Sequence, residues 1–182
     1  MLLLKDKIVN FFRWPRKKDF NWIKKTELVE LDDIDVTEDP VRPELNLEFR
    51  TSYGRRVYGL KFKDEITAII CIAYTNDIPF SVKELDLMSQ NAYLKELLGV
   101  LKEDTNTAIA YTVWSRKKGA GKEIMQKALK FIKDKDEIKR LVTLSPLTPR
   151  ATHYHIRNGA KLISINPTAQ NFEYDLERKE RC

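Results

Sequence analysis

Histidine and cysteine are scarce in this chain of 182 residues: His153, His155, Cys71 and Cys182 are all it has. Two distant cysteines cannot build a disulfide framework, and together with the two histidines they offer no zinc-ligand spacing, so no metal is expected. Cys71 lies in the apolar run Ile69–Ala73, where a small buried thiol is the ordinary reading. Long apolar runs are missing too. Leu2-Leu3-Leu4 is too short for the core of a signal peptide, and no stretch approaches the ~18 apolar residues of a membrane span. A reducing, cytoplasmic protein is expected. Charge of one sign is in only modest excess, 33 Lys+Arg against 27 Asp+Glu for a net +6. With six glycines and seven prolines, that balance excludes a collagen and a disordered acidic chain. The excess invites an anionic partner: nucleic acid, a membrane surface or a phosphorylated ligand.

What is present is a hydrophobic fraction of 42%, with 10% aromatics, enough for one sizeable core. The chain divides into an N-terminal arm and acidic loop (1–49), one domain (50–177) and a charged tail (178–182). In the arm, Leu3, Leu4, Ile8, Phe11 and Phe12 share a helical face, and a basic stretch follows. Such a start packs on a domain or touches an anionic surface. Residues 30–45, acidic and carrying Pro40 and Pro43, read as a loop or boundary.

From residue 50 the pattern sharpens. Val57–Phe62 and Ile66–Tyr74 predict a hairpin, its second strand apolar on both faces as a central strand should be. Ser81-Val82-Lys83-Glu84 is a capping box opening a helix with Leu85, Met88, Leu94, Leu97 and Leu98, broken near Gly99. Strands are expected over Thr107–Trp114, Leu141–Leu144, Lys161–Asn166 and Phe172–Leu176, with helices over Gly119–Lys133 and about Arg150–Arg157. The class is α/β (α+β), with a strand–helix–strand crossover at its centre.

The chemistry concentrates where the third strand meets its helix, at Val113-Trp114-Ser115-Arg116-Lys117-Lys118-Gly119-Ala120-Gly121-Lys122. Glycines let backbone approach a ligand closely, and the amides and dipole of a helix N-terminus attract phosphate. Arg116, Lys117, Lys118 and Lys122 add positive charge. The spacing is not that of a nucleoside triphosphatase loop. Of the two histidines, two apart on a helix, only one can line a given cleft. Ser145 ends a strand at the edge where open α/β sheets take ligands.

The turn Arg116-x-x-Gly119-x-Gly121 resembles the acyl-CoA pyrophosphate loop of the GNAT acyltransferase superfamily. Over about residues 50–170 the chain is most similar to the catalytic domain of malonyl-CoA decarboxylase, with resembling pieces in family order. They are Gly54–Tyr58, Ala73–Ile78, Thr107–Tyr111, Thr143-Leu144-Ser145-Pro146, His155-Ile156-Arg157-Asn158-Gly159-Ala160 and Ile165-Asn166-x-x-Ala169. Two departures stand out. Only nine residues separate Ser145 from His155, where the family carries a long insertion, and Gln170 stands where it carries an acid.

The resemblance implies a GNAT-like mixed central sheet around a strand–RxxGxG–helix–strand core, with a coenzyme A thioester, malonyl-CoA or acetyl-CoA, as substrate. Val113, Arg116, Lys117, Lys118, Gly119, Ala120, Gly121 and Lys122 would bind it. His155 would donate a proton, with Tyr154 the competing candidate, and Ser145 would hold the carboxylate or orient the imidazole. Backbone N–H groups around Ala110–Val113 would stabilise the oxyanion. The activity implied is decarboxylation of malonyl-CoA or a related β-carboxy acyl-CoA. The alternative is acetyl transfer from acetyl-CoA to an amine, which needs a base, and Ala108–Ser115 holds no carboxylate. A third reading is a non-enzymatic binder of nucleic acid or anionic membrane through the basic arm.

Overall fold

The structure is a computed structural model that describes Trp22, residues 25–99 and residues 105–176. The helical face expected over residues 2–12, the tail 178–182 and Cys182 lie outside the described residues. Among the described residues eleven elements follow in order: β1 (Glu27–Glu30), α1 (Leu47–Thr51), β2 (Arg56–Phe62), β3 (Glu65–Thr75), α2 (Val82–Leu97) and β4 (Thr107–Ser115). Then come α3 (Ala120–Lys133), β5 (Arg140–Thr143), α4 (Pro149–Arg157), β6 (Lys161–Ile165) and β7 (Gln170–Tyr174). The strands form one mixed sheet in the order β1-β2-β3-β4-β5-β7-β6. Only β4 and β5 run parallel, joined by the α3 crossover; every other pair is antiparallel.

The expected hairpin is β2–β3, with Lys63 in the left-handed region at its turn (φ 55). In β3, Ala68, Ile70 and Ile72 face one core while Ile69, Cys71 and Ala73 face the other. Helix α3 closes the first core with Ile124, Met125, Ala128 and Ile132, and Leu85 of α2 contributes to the second. The Cys71 thiol is fully buried, and that desolvation pushes its pKa up to about 11.

Ser81 caps α2 as expected, accepting the Glu84 N–H at 3.2 Å. Glu84 reaches back to the N–H of Phe80, one residue before the cap. Of the apolar positions expected on this helix only Leu85 is buried, with Ser89 and Ala92; Leu94, Leu97 and Leu98 are exposed. The buried guanidinium of Arg55 explains the choice of face. It donates to Asp86 Oδ1 at 2.8 Å and Ser89 Oγ at 2.6 Å, so a polar turn of α2 faces inward. Among the described residues no helix is long and apolar enough to cross a membrane.

Residues 27–51 contribute two elements that sequence patterning did not anticipate. β1 pairs with β2 as an edge strand, and α1 is one short turn whose buried residue is Arg50. The loop between them folds against the sheet through a buried ion pair. Arg50 Nη2 meets Asp39 Oδ2 at 2.8 Å, both side chains at 0% exposure. Asp39 also accepts from the Thr112 hydroxyl at 2.8 Å and the Val41 N–H at 2.8 Å.

One irregularity in the sheet positions everything that follows. In β4 the register jumps, with Thr112 opposite Cys71 and Ala110 opposite Ile72, so Tyr111 is an extra bulged residue. A bulge bends its strand and interrupts the ladder. Parallel pairing with β5 runs from Thr107 to Ala110 and ends with the Leu144 N–H on the Ala110 carbonyl at 3.0 Å. Beyond it the strands part. From below, Arg42 bridges the gap, donating from Nε to the Tyr111 carbonyl and from Nη2 to the Leu144 carbonyl, each at 3.0 Å.

Candidate functional site

The parting of β4 and β5 opens a cavity of about 600 Å³. β4 from Ala110 to Ser115 forms one wall, and Ser145, Tyr154 and His155 form the other. Pro40 and Val41 line it from the folded loop, and Gly121 from the first turn of α3.

The glycine turn is built for close approach. Gly119 is the N-cap of α3 with φ +88, a conformation only glycine adopts freely, and no side chain caps the helix. At Gly121 a Cβ would lie 3.4 Å from Ser115 Oγ and 3.6 Å from the Tyr154 ring. Ala120 is fully buried, Lys118 and Lys122 are exposed, and Val113 lines the cavity. The other two basic residues turn elsewhere. Arg116 pairs with Glu38 at 2.6 Å, and the Lys117 ammonium sits 4.5 Å from the Trp22 ring and 4.9 Å from that of Phe62.

Helix α4 carries the second group of residues. Thr148 caps it, accepting the Ala151 N–H at 3.2 Å, and Pro149 starts its first turn. His153 is exposed and His155 buried, as two helix positions two apart require. His155 Nε2 lies 2.8 Å from Ser145 Oγ, and Nδ1 lies 3.0 Å from the Tyr174 hydroxyl. The ring stacks on Phe172 at 4.9 Å between centroids. Ser145 donates to Thr143 Oγ1 at 3.1 Å, so it accepts from His155, which places the imidazole proton on Nε2. Tyr174 then donates to Nδ1. The result is one directed chain, Tyr174 to His155 to Ser145 to Thr143, which meets the cavity at Ser145.

Tyr154 is held apart from that chain. Its hydroxyl donates to the Gly121 carbonyl at 2.5 Å, which ties α4 to the glycine turn. Burial raises the pKa of both Tyr154 and Tyr174, keeping each a neutral donor. Burial lowers that of His155 from 6.5 to about 4, so the imidazole is neutral across the physiological range. A depressed folded-state pKa contributes stability that is full above pH 6.5 and lost as pH falls toward 4. Urea titrations are therefore expected to show about 3 kcal/mol lost over that window, with the slope reduced in His155→Gln.

The structure thus brings together Val113, Gly121, Ser145, Tyr154 and His155 at the cavity, and leaves Arg116, Lys117, Lys118, Gly119, Ala120 and Lys122 out of its lining. Three participants went unanticipated: Tyr174, the folded loop with Arg42, and Arg150, which lines the cavity. Tyr174 had one weak signal, its place two residues from Phe172 on one strand face. Nothing in the spacing reveals that this face meets His155.

No family model and no curated protein match this sequence. Solved structures share the fold. The loading GNATL domain of CurA from Lyngbya majuscula matches with a TM-score of 0.55 at 14% identity, over 84% of this chain and 98% of that one. An acetyltransferase from Thermus thermophilus matches with a TM-score of 0.50 at 13% identity, over 82% and 96%. Malonyl-CoA decarboxylase from Cupriavidus metallidurans matches with a TM-score of 0.47 at 19% identity, over 70% of this chain. This chain spans about a third of that protein, 32%. The fold is the GNAT fold, a mixed α/β sheet whose strands part beside a glycine turn.

Proposed function

We propose that this protein is an acyl-CoA enzyme that decarboxylates malonyl-CoA, or a related β-carboxy acyl-CoA, to the shorter thioester. The observation that carries the reading is the directed chain from Tyr174 through His155 to Ser145, opening into the same cavity as an uncapped, glycine-built helix N-terminus. One end suits phosphate and the other suits a reaction that needs a proton at carbon.

The ligand's phosphates would lie at the Gly119–Gly121 turn, with Lys118 and Lys122 nearby, and its acyl end beside Ser145. As CO2 leaves, the C–C bonding electrons become an enolate whose oxygen faces β4, where N–H groups along Ala110–Val113 would stabilise it. The Ser145 hydroxyl, turned from Thr143 Oγ1 toward the cavity, then gives its proton to the carbon. Ser145 takes the Nε2 proton, and Tyr174 gives its own to Nδ1. The imidazole changes tautomer without becoming charged, which suits a ring whose pKa lies near 4. The negative charge thus ends on Tyr174 as a transient phenolate, which solvent reprotonates.

Acyl transfer to an amine has less support. It needs a base for the ammonium proton, and none of the described residues lining the cavity is a carboxylate. Incubation with malonyl-CoA and acetyl-CoA separately, with and without an amine acceptor, distinguishes the reactions. CO2 and acetyl-CoA forming from malonyl-CoA, with no free thiol, is the expected result. Thiol release that requires an amine would overturn the reading.

The pH profile provides a further check. A neutral relay predicts kcat that is level from about pH 5 to 8 and falls only toward pH 4, as His155 protonates. A histidine working as imidazolium would instead lose activity above about pH 6.5.

A further inference from the structure

The phosphate site lacks the partner that sequence alone assigns to it. The Arg116 guanidinium is engaged by Glu38 at 2.6 Å and reaches the Ile66 carbonyl at 3.4 Å, while its N–H is fixed to the Thr67 carbonyl at 2.9 Å. It does not line the cavity. The charge at the mouth comes from the opposite wall. Arg150 is exposed, and it is the one formally charged side chain among the described residues lining the cavity. No ion pair or hydrogen bond engages its guanidinium among the described residues.

The register of α4 aims it. Arg150 and Tyr154 are four apart and share a helix face. Tyr154 donates to the Gly121 carbonyl, and its ring lies 3.6 Å from where a Gly121 Cβ would stand. Arg150 therefore stands one turn beyond Tyr154, on the side of α4 turned toward the start of α3. His155, five positions on, turns instead to Ser145. The helix has one face for the reacting end of a ligand and another for the glycine turn.

We propose that Arg150 is the principal cationic side chain for the phosphate end of the ligand, gripping it together with the Gly119–Gly121 backbone. The proposal rests on the acyl-CoA reading of this cavity and names a residue that reading did not include. An arginine suits the task because its planar fork can donate two parallel hydrogen bonds to a phosphate.

The test compares coenzyme A, phosphate-free malonyl-pantetheine and inorganic pyrophosphate on wild type, Arg150→Met and Arg116→Met. Calorimetry gives affinities, and amide shifts at Gly119–Gly121 locate binding. Arg150→Met is expected to weaken coenzyme A and pyrophosphate about tenfold and to leave malonyl-pantetheine unchanged, as loss of an exposed charge-assisted contact should. Arg116→Met should change coenzyme A affinity less than about twofold, because Glu38 already engages that charge. Weakening by Arg116→Met alone would overturn the proposal. So would an equal loss for malonyl-pantetheine, which would assign Arg150 to the acyl carboxylate. Arg150-dependent pyrophosphate binding without coenzyme A binding would sink the acyl-CoA reading and keep the phosphate site. Failure of wild type to bind either would sink both.

Discussion

His155→Gln is expected to lower kcat for malonyl-CoA by about 10²–10³-fold while leaving coenzyme A affinity within about twofold. The side chain sits at the centre of the relay, 2.8 Å from Ser145 Oγ and 3.0 Å from the Tyr174 hydroxyl, so its removal breaks proton delivery at one point. The Gly119–Gly121 turn lies at the start of another element, α3, and keeps its geometry because Tyr154 rather than His155 holds it. Glutamine retains a donor and much of the volume beside Phe172, which limits collapse of the site. Tyr174→Phe removes the outermost proton of the relay and should cost about tenfold in kcat with KM unchanged. Full turnover in His155→Gln would show that the relay is structural. A matching rise in KM would assign the ring to binding.

The second large effect concerns stability. Asp39→Ala is expected to cost about 3–5 kcal/mol in urea unfolding, because it leaves Arg50 charged and unpaired in the interior. The pair is 2.8 Å apart and wholly shielded from water. Arg50 also donates to the carbonyls of Arg42 at 2.8 Å and Leu45 at 3.0 Å, so the pair fixes the loop that carries Arg42 under the parted strands. The double variant Asp39→Ala, Arg50→Met should lose less than the sum of the singles, since it removes both charges together. Additive losses would show that the two groups act independently. The Asp39→Ala variant should also bind coenzyme A more weakly, because Pro40 and Val41 line the cavity from that same loop.

That loop shows why the sequence was legible in some places and opaque in others. The Ser81–Glu84 cap, the β2–β3 hairpin and the glycine turn are local devices, each decided by residues a few positions apart, and all three form where patterning predicts. β1 has only Leu28 and Val29 as apolar positions, and α1 buries an arginine, so neither carries the periodic signal that reveals an element. Asp39 lies in a stretch that reads only as an acidic loop, and nothing in the spacing shows that it meets Arg50. The same limit applies to the site. Ser145 and His155 were legible through a family resemblance, and the turn through the physics of phosphate binding. Tyr174 reaches His155 because β7 lies beside β5, and Arg150 rather than Arg116 is the charged side chain among the described residues lining the cavity. Both follow from long-range pairing, which local spacing does not encode. The bulge at Tyr111 is likewise invisible in β4 alone, since it exists only as a register against β3.

The central claim is that the gap between β4 and β5 is an acyl-CoA site, and a backbone amide footprint of coenzyme A tests it most directly. Titration of the 15N-labelled protein should move the amides of Val113, Gly119, Ala120, Gly121, Ser145 and His155 together, with one saturating affinity. Shifts confined to the basic N-terminal stretch, fading as salt is raised, would contradict the account and favour a non-specific binder of anions.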